Sequence, residues 1–180
     1  MSSAVIVLAD GFEETEAITI IDLLRRAQCA VTVLGLDDLT VTGSHGITIT
    51  ADSLLSSYTS AFDAVILPGG MPGTRNLAES QAVLDIVRRA HAQKKLVAAI
   101  CAAPLVLATA GILQNTRVTC FPGIEKELGT AQFVGGATVV DGSIITGKSL
   151  GTAIEFSCAV ITYLEGSAAA EKVRSAICLT

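Results

Sequence analysis

The sequence predicts an α/β fold in which helices cover both faces of a mostly parallel sheet, a doubly wound sandwich. Short runs rich in Val, Ile, Leu and Ala recur along the 180 residues without the polar alternation of a half-exposed strand. Stretches with helical apolar spacing lie between those runs. Hydrophobic residues make up 51% of the chain against 16% charged, enough to bury a sheet on both sides within one domain spanning residues 1–180.

Taken in order, the strand runs are residues 4–9, 30–36, 64–67, 96–100, 117–120 and 143–146. Each is dominated by β-branched or small apolar residues, as a strand covered on both sides requires. Between the first two, residues 14–27 place Ala17, Ile20, Ile21 and Leu24 on one helical face. Residues 81–92 repeat the pattern with Val83, Ile86, Val87 and Ala90. A third helix is expected over 104–110, with Pro104 in its first turn and Gly111 closing it. A fourth is expected over 152–164. The stretch 39–50 sets Gly43 and Gly46 between β-branched residues and reads as a hairpin-like excursion.

Charge and cysteine content exclude several functions. A net charge of −5, with basic residues clustered only as pairs, does not suit a nucleic-acid surface. The opening apolar run is too short to cross a membrane and lacks the flanks of a signal peptide, so a cytoplasmic location is expected. The five cysteines, Cys29, Cys101, Cys120, Cys158 and Cys178, are odd in number and contain no C-x-x-C pair. Reduced thiols are therefore expected, with neither a disulfide framework nor a metal site.

In an open parallel sheet, ligands sit beyond the carboxyl ends of the strands. Three unusual segments fall there: 10–16 with Glu13, Glu14 and Glu16, 68–73 with Gly69 and Gly70, and 101–104 led by Cys101. Cys101 stands between a buried strand and a helix. It reads either as an inert core thiol or as an exposed nucleophile at a strained turn, favoured as thiolate by the helix end behind it; its position favours the second. The acidic run reads in part as complementing a helix N-terminus. Glu16 also borders the apolar stripe, where it can turn inward, stay protonated and carry protons for the sulfur. Glu13 lies on that side too, and Glu14 is expected toward solvent. The amides of Gly69, Gly70 and Ala102 offer an oxyanion hole. His91 reads as solvated. His45, Glu13 and Phe121 are candidates for the pocket edge. No histidine is placed beside Cys101 for a hydrolytic triad.

These residues carry a resemblance. The sequence G-F-E-E-T-E-A, then I-D-L-L-R-R-A, L-P-G-G, A-A-I-C-A-A-P and finally G-T-A-I-E-F resembles the ThiJ/PfpI superfamily over nearly the whole chain. The resemblance is to its Parkinsonism-associated deglycase branch, which includes bacterial YajL-like proteins. It implies a flavodoxin-like sandwich and a homodimer. It implies a reactive cysteine at Cys101, a protonated glutamate at Glu16, and oxyanion-type amides at Gly70 and Ala102. Ala102 replaces the histidine of the protease-like branch, and residues 99–103 lack both glycines of the G-x-C-x-G of glutamine amidotransferases, so neither activity is expected. Phe121 precedes Pro122 where several relatives have histidine. His45 and Leu150 stand where many have arginine and proline.

Two classes of function follow from the resemblance. One is a cofactor-free glyoxalase or deglycase acting on a small reactive dicarbonyl such as methylglyoxal, or on its glycated adducts. The other is a redox sensor or chaperone-like stress protein working through a Cys101 sulfinate. Turnover separates the two, because a catalyst regenerates its thiol.

Overall fold

The computed structural model describes residues 1–179. The chain runs β1 (Ser3–Leu8), α1 (Glu14–Arg26), β2 (Ala30–Gly35), β3 (Thr40–Thr42), β4 (Thr48–Thr50), β5 (Ser53–Leu54) and β6 (Ala64–Leu67). It continues through α2 (Gly73–Glu79), α3 (Gln81–Ala92), β7 (Leu96–Ile100), α4 (Pro104–Thr109), β8 (Arg117–Val118) and β9 (Gln132–Phe133). It ends with β10 (Thr138–Asp141), β11 (Ile144–Gly147), α5 (Ala153–Glu165) and α6 (Ser167–Ala176). Seven strands form the central sheet in the order β10-β11-β7-β6-β1-β2-β5. All neighbours pair parallel except β10 with β11.

The sheet divides the core into two layers, and β1 shows how. Val5 and Val7 face a cluster with residues of α2, α3 and α4, whereas Ala4, Ile6 and Leu8 face α1, α5 and α6. Successive side chains alternate faces, so a strand buried on both sides is apolar throughout. Each large aliphatic side chain removed from water contributes about 1.5–3 kcal/mol. An aspartate at Ile6, which is 0% exposed, would leave an unpaired charge in the core and unfold this layer.

Local signals place the helices. The Glu13 side chain accepts from the Thr15 N–H at the start of α1 (3.3 Å), and the predicted stripe Ala17, Ile20, Ile21 and Leu24 is buried. Ser80 caps α3 through the Val83 N–H (3.4 Å). The excursion at 39–50 is the antiparallel hairpin of β3 and β4.

The run at 117–120 is a correction. Only Arg117 and Val118 are strand, and they pair with β9 in a small sheet of their own. At Thr119 the N–H donates to Thr146 Oγ1 (2.9 Å) and the hydroxyl to the Gly136 carbonyl (2.9 Å), and these bonds replace a ladder. The short elements α2, β5, β9 and β10, together with the alanine-rich α6, give no distinct periodic signal and were not predicted. Among the described residues, no helix is long and apolar enough to cross a membrane.

Candidate active site

The carboxyl ends of β1, β6 and β7 bring the three unusual segments together. Cys101 follows β7 directly and takes φ +64°, a left-handed conformation that a side chain rarely adopts and that costs about 1–3 kcal/mol. Two backbone bonds hold it there. Its N–H donates to the Gly147 carbonyl at the end of β11 (2.9 Å), and its own carbonyl accepts the Phe121 N–H (2.8 Å). The residue is partly exposed.

Glu16, on the first turn of α1, is 0% exposed. Its Oε2 accepts the Gly69 N–H at 2.9 Å, while Oε1 is buried without a regular hydrogen bond. A Cβ on Gly69 would lie 2.6 Å from the Cys101 Cβ and 2.9 Å from Glu16 Oε2, so only glycine allows the three to meet. Gly70 has φ +94°, and a Cβ there would strike the backbone of residues 11–13. The glycine turn thus serves close packing between the loops.

Burial pushes the Glu16 carboxyl up from its ordinary 4.5 to about 7. The Gly69 N–H and then the Cys101 thiol oppose the rise, the charge of Glu13 adds to it, and the Leu150 N–H opposes it again. Cys101 is also pushed up, to about 12, by burial first and then by the charge of Glu16 and its hydrogen bond. The N–H groups of Ala102 and Gly70 pull the thiol the other way. The expected preference for thiolate from the helix end meets an opposing effect: α4 behind the sulfur has only six residues, and burial beside a charged carboxyl opposes ionisation. Two adjacent buried anions repel, so the pair retains one proton between sulfur and carboxyl. When Glu16 holds it, the neutral carboxyl can donate to a thiolate that also faces two N–H groups.

A cleft of about 490 Å³ opens in front of the sulfur, with Gly70, Met71, Ala102, Phe121, Pro122 and Ile124 among its walls. Of the predicted residues, Cys101, Gly70, Ala102 and Phe121 line it, and Glu16 and Gly69 lie directly beneath. The Gly69 N–H is engaged by Glu16, which leaves Gly70 and Ala102 as the amides directed at the sulfur.

Glu13 and His45 stand apart from the cleft lining. Glu14, expected toward solvent, is only 3% exposed. It accepts the N–H groups of His45 and Ile47 (2.6 and 3.3 Å), and the His45 ring lies 3.1 Å away, so it ties the hairpin of β3 and β4 to α1. These donors, working against burial, bring its carboxyl down to about 2. His45 Nδ1 is also 3.5 Å from Glu13, so the half-buried Glu13, the buried Glu14 and the exposed His45 bring their ligand atoms together. Sequence reasoning missed Met71, Pro122 and Ile124 as walls. The Pro-Gly pairs at 72–73 and 122–123 flanking two of these sites were the available signal.

Comparisons with known proteins agree with the fold and place its family. A match to the DJ-1/PfpI family spans residues 2–163. Protein DJ-1 homolog A of Arabidopsis thaliana is 37% identical over 98% of the chain; the chain spans about half that relative's length (46%), and 39% of its homolog B. The glutathione-independent glyoxalase DJR-1.2 of Caenorhabditis elegans is 30% identical, over 99% of the chain and 96% of that protein. The crystal structure of Drosophila melanogaster DJ-1beta superposes with a TM-score of 0.96 at 36% identity, covering 100% of both chains.

Proposed function

The chain belongs to the DJ-1/PfpI family, and on that premise we propose that it is a cysteine-dependent glyoxalase or deglycase acting on methylglyoxal or its adducts. The observation that carries the reading is the approach of Cys101 and the buried Glu16 across Gly69, at the floor of an open cleft. The glyoxalase named among the relatives supports the same chemistry.

In this reading the sulfur bonds to the aldehyde carbon, and the carbonyl oxygen takes the proton that Glu16 holds. The product is a hemithioacetal. Glu16, now a carboxylate, removes the hydrogen from that carbon and returns it to the neighbouring one, while the hydroxyl proton passes to the neighbouring oxygen. This leaves a thioester of the hydroxy acid, with the former aldehyde carbon oxidised and its neighbour reduced. Water cleaves the thioester, releases lactate and restores the thiol. The amides of Gly70 and Ala102 face the oxygen charge that develops. The chemistry of these steps uses no metal or cofactor.

The test is lactate formation from methylglyoxal by purified protein beside Cys101→Ser, which should lose it. Equal turnover by the variant would overturn the reading. The partial exposure of Cys101 favours a second reading, oxidation of the thiol in a sensing role. A thiol consumed once, with no lactate accumulating, would identify that role.

We also propose a homodimer. Ile18, Leu150 and Ile154 are 46%, 45% and 38% exposed, on α1 and just before and within the first turn of α5, two helices that pack together. Light scattering should report about twice the chain mass of 18.5 kDa.

A further inference from the structure

The cleft beside Cys101 has walls that a methylglyoxal molecule would not reach. Its volume of about 490 Å³ is several times what so small a substrate fills. The walls are chiefly Met71, Phe121, Pro122 and Ile124, and Phe121 and Met71 leave 47% and 41% of their surface to solvent. Exposed apolar surface on both sides of a nucleophile is unfavourable until something apolar covers it. The single charged lining residue, Glu127, is paired with Arg75 at 2.8 Å. Among the described residues, no lysine, arginine or histidine lines the cleft, so a carboxylate or phosphate would find no partner there and would meet the charge of Glu127 instead.

Phe121 is also fixed relative to the reacting sulfur. Its N–H donates to the carbonyl of Cys101 itself (2.8 Å), and its carbonyl accepts the Ile124 N–H (3.1 Å). The ring therefore stands on a tight turn one hydrogen bond from the nucleophile. A substrate anchored through its aldehyde carbon would leave its other substituent in this cleft.

We infer that the cleft is a subsite for an apolar substituent, so that the preferred substrates are α-oxoaldehydes bearing an aryl or branched alkyl group, with Phe121 and Met71 setting the preference. The inference rests on the reading of Cys101 as the nucleophile and names the substrate class that reading leaves open.

The experiment compares kcat/KM for phenylglyoxal and for glyoxal in wild type, Phe121→Ala and Met71→Ala. Burying part of a phenyl ring is worth about tenfold. Wild type should prefer phenylglyoxal by at least about that factor, mainly through KM, and either variant should lose most of the preference. A wild-type ratio at or below one, or a ratio unchanged in both variants, overturns the inference. A second arm does not depend on turnover. Cys101 is alkylated with N-phenylmaleimide and N-methylmaleimide, and the rate ratio is divided by that of free glutathione. An excess of about tenfold that falls in Phe121→Ala supports the subsite, and a ratio equal to that of glutathione overturns it. If neither aldehyde is turned over but the maleimide preference holds, the catalytic reading fails and the subsite stands.

Discussion

Glu14 and Glu16 stand two residues apart on the first turn of α1, both almost wholly buried, yet their carboxyls are driven in opposite directions. Glu14 falls to about 2 and Glu16 rises to about 7. Burial raises both, and Glu16 lies the deeper of the two. Donors widen the gap. Glu14 collects N–H groups from the β3–β4 hairpin and the His45 ring, whereas Glu16 has the single Gly69 N–H on Oε2 and no regular bond on Oε1. A buried carboxyl with enough donors is a structural tie, and one short of donors keeps its proton and can move it. The first locks a hairpin and the second faces a thiol.

The largest expected effect tests that contrast in activity. Glu16→Gln keeps the shape of the side chain but cannot carry a proton, so lactate formation should fall at least about 100-fold. Glu14→Gln should change it by less than about threefold. Cys101 alkylation at pH 8 should also quicken in Glu16→Gln, because a negative charge beside the sulfur is gone. Should Glu16→Gln retain wild-type turnover, the distinction drawn here has no functional meaning.

The contrast also marks where the sequence was legible. Five of the six strand runs and all four helical stretches read from it are present, because β1, β6 and β7 are uniformly apolar and α1 and α3 carry clear stripes. The pairing of Cys101 with Glu16 was legible too, through the position of each beyond a strand end. The burial of Glu14 was not. It depends on a hairpin folded from residues 40–50 over the start of α1, with Gly43 admitting the carboxyl where a Cβ would strike it. Helical spacing describes one helix, and a partner from elsewhere in the chain lies outside its reach. The sign of the shift at Cys101 was missed for a related reason, since the helix end was visible in sequence but the depth of the sulfur beside a carboxyl was not.

A second test reads the two carboxyls through stability. Glu16 is raised in the folded state, so its contribution is fully present below about pH 4.5 and is lost as pH rises through about 7. At 1.36 kcal/mol per unit, the loss on the alkaline side is about 3 kcal/mol. Urea midpoints of wild type should therefore decline between pH 5 and pH 8.5 relative to Glu16→Gln, which has no such proton to lose. Parallel profiles for the two proteins would mean that Glu16 is ionised in the fold throughout.

The smallest effect belongs to Glu14 and has the opposite sign. Its folded value of about 2 lies below the ordinary 4.5, so its contribution is present above about pH 4.5 and is lost as pH falls toward 2. The size must be discounted, because the carboxylate ends beside a His45 side chain that is 73% exposed, and water and salt screen the charge there. About 1 kcal/mol is expected to remain, close to 2–4 °C in Tm for a protein of this size. Glu14→Gln should thus lose stability at pH 7 but converge with wild type near pH 2.5, where the wild-type carboxyl is itself taking up a proton. Hydrogen exchange localises the effect, since the N–H groups of His45 and Ile47 should exchange faster in the variant at pH 7 while that of Gly69 stays protected. If instead the Gly69 N–H is the one released, the hairpin and the Gly69 turn share a single carboxylate network, and the two glutamates cannot be separated into a tie and a proposed proton carrier.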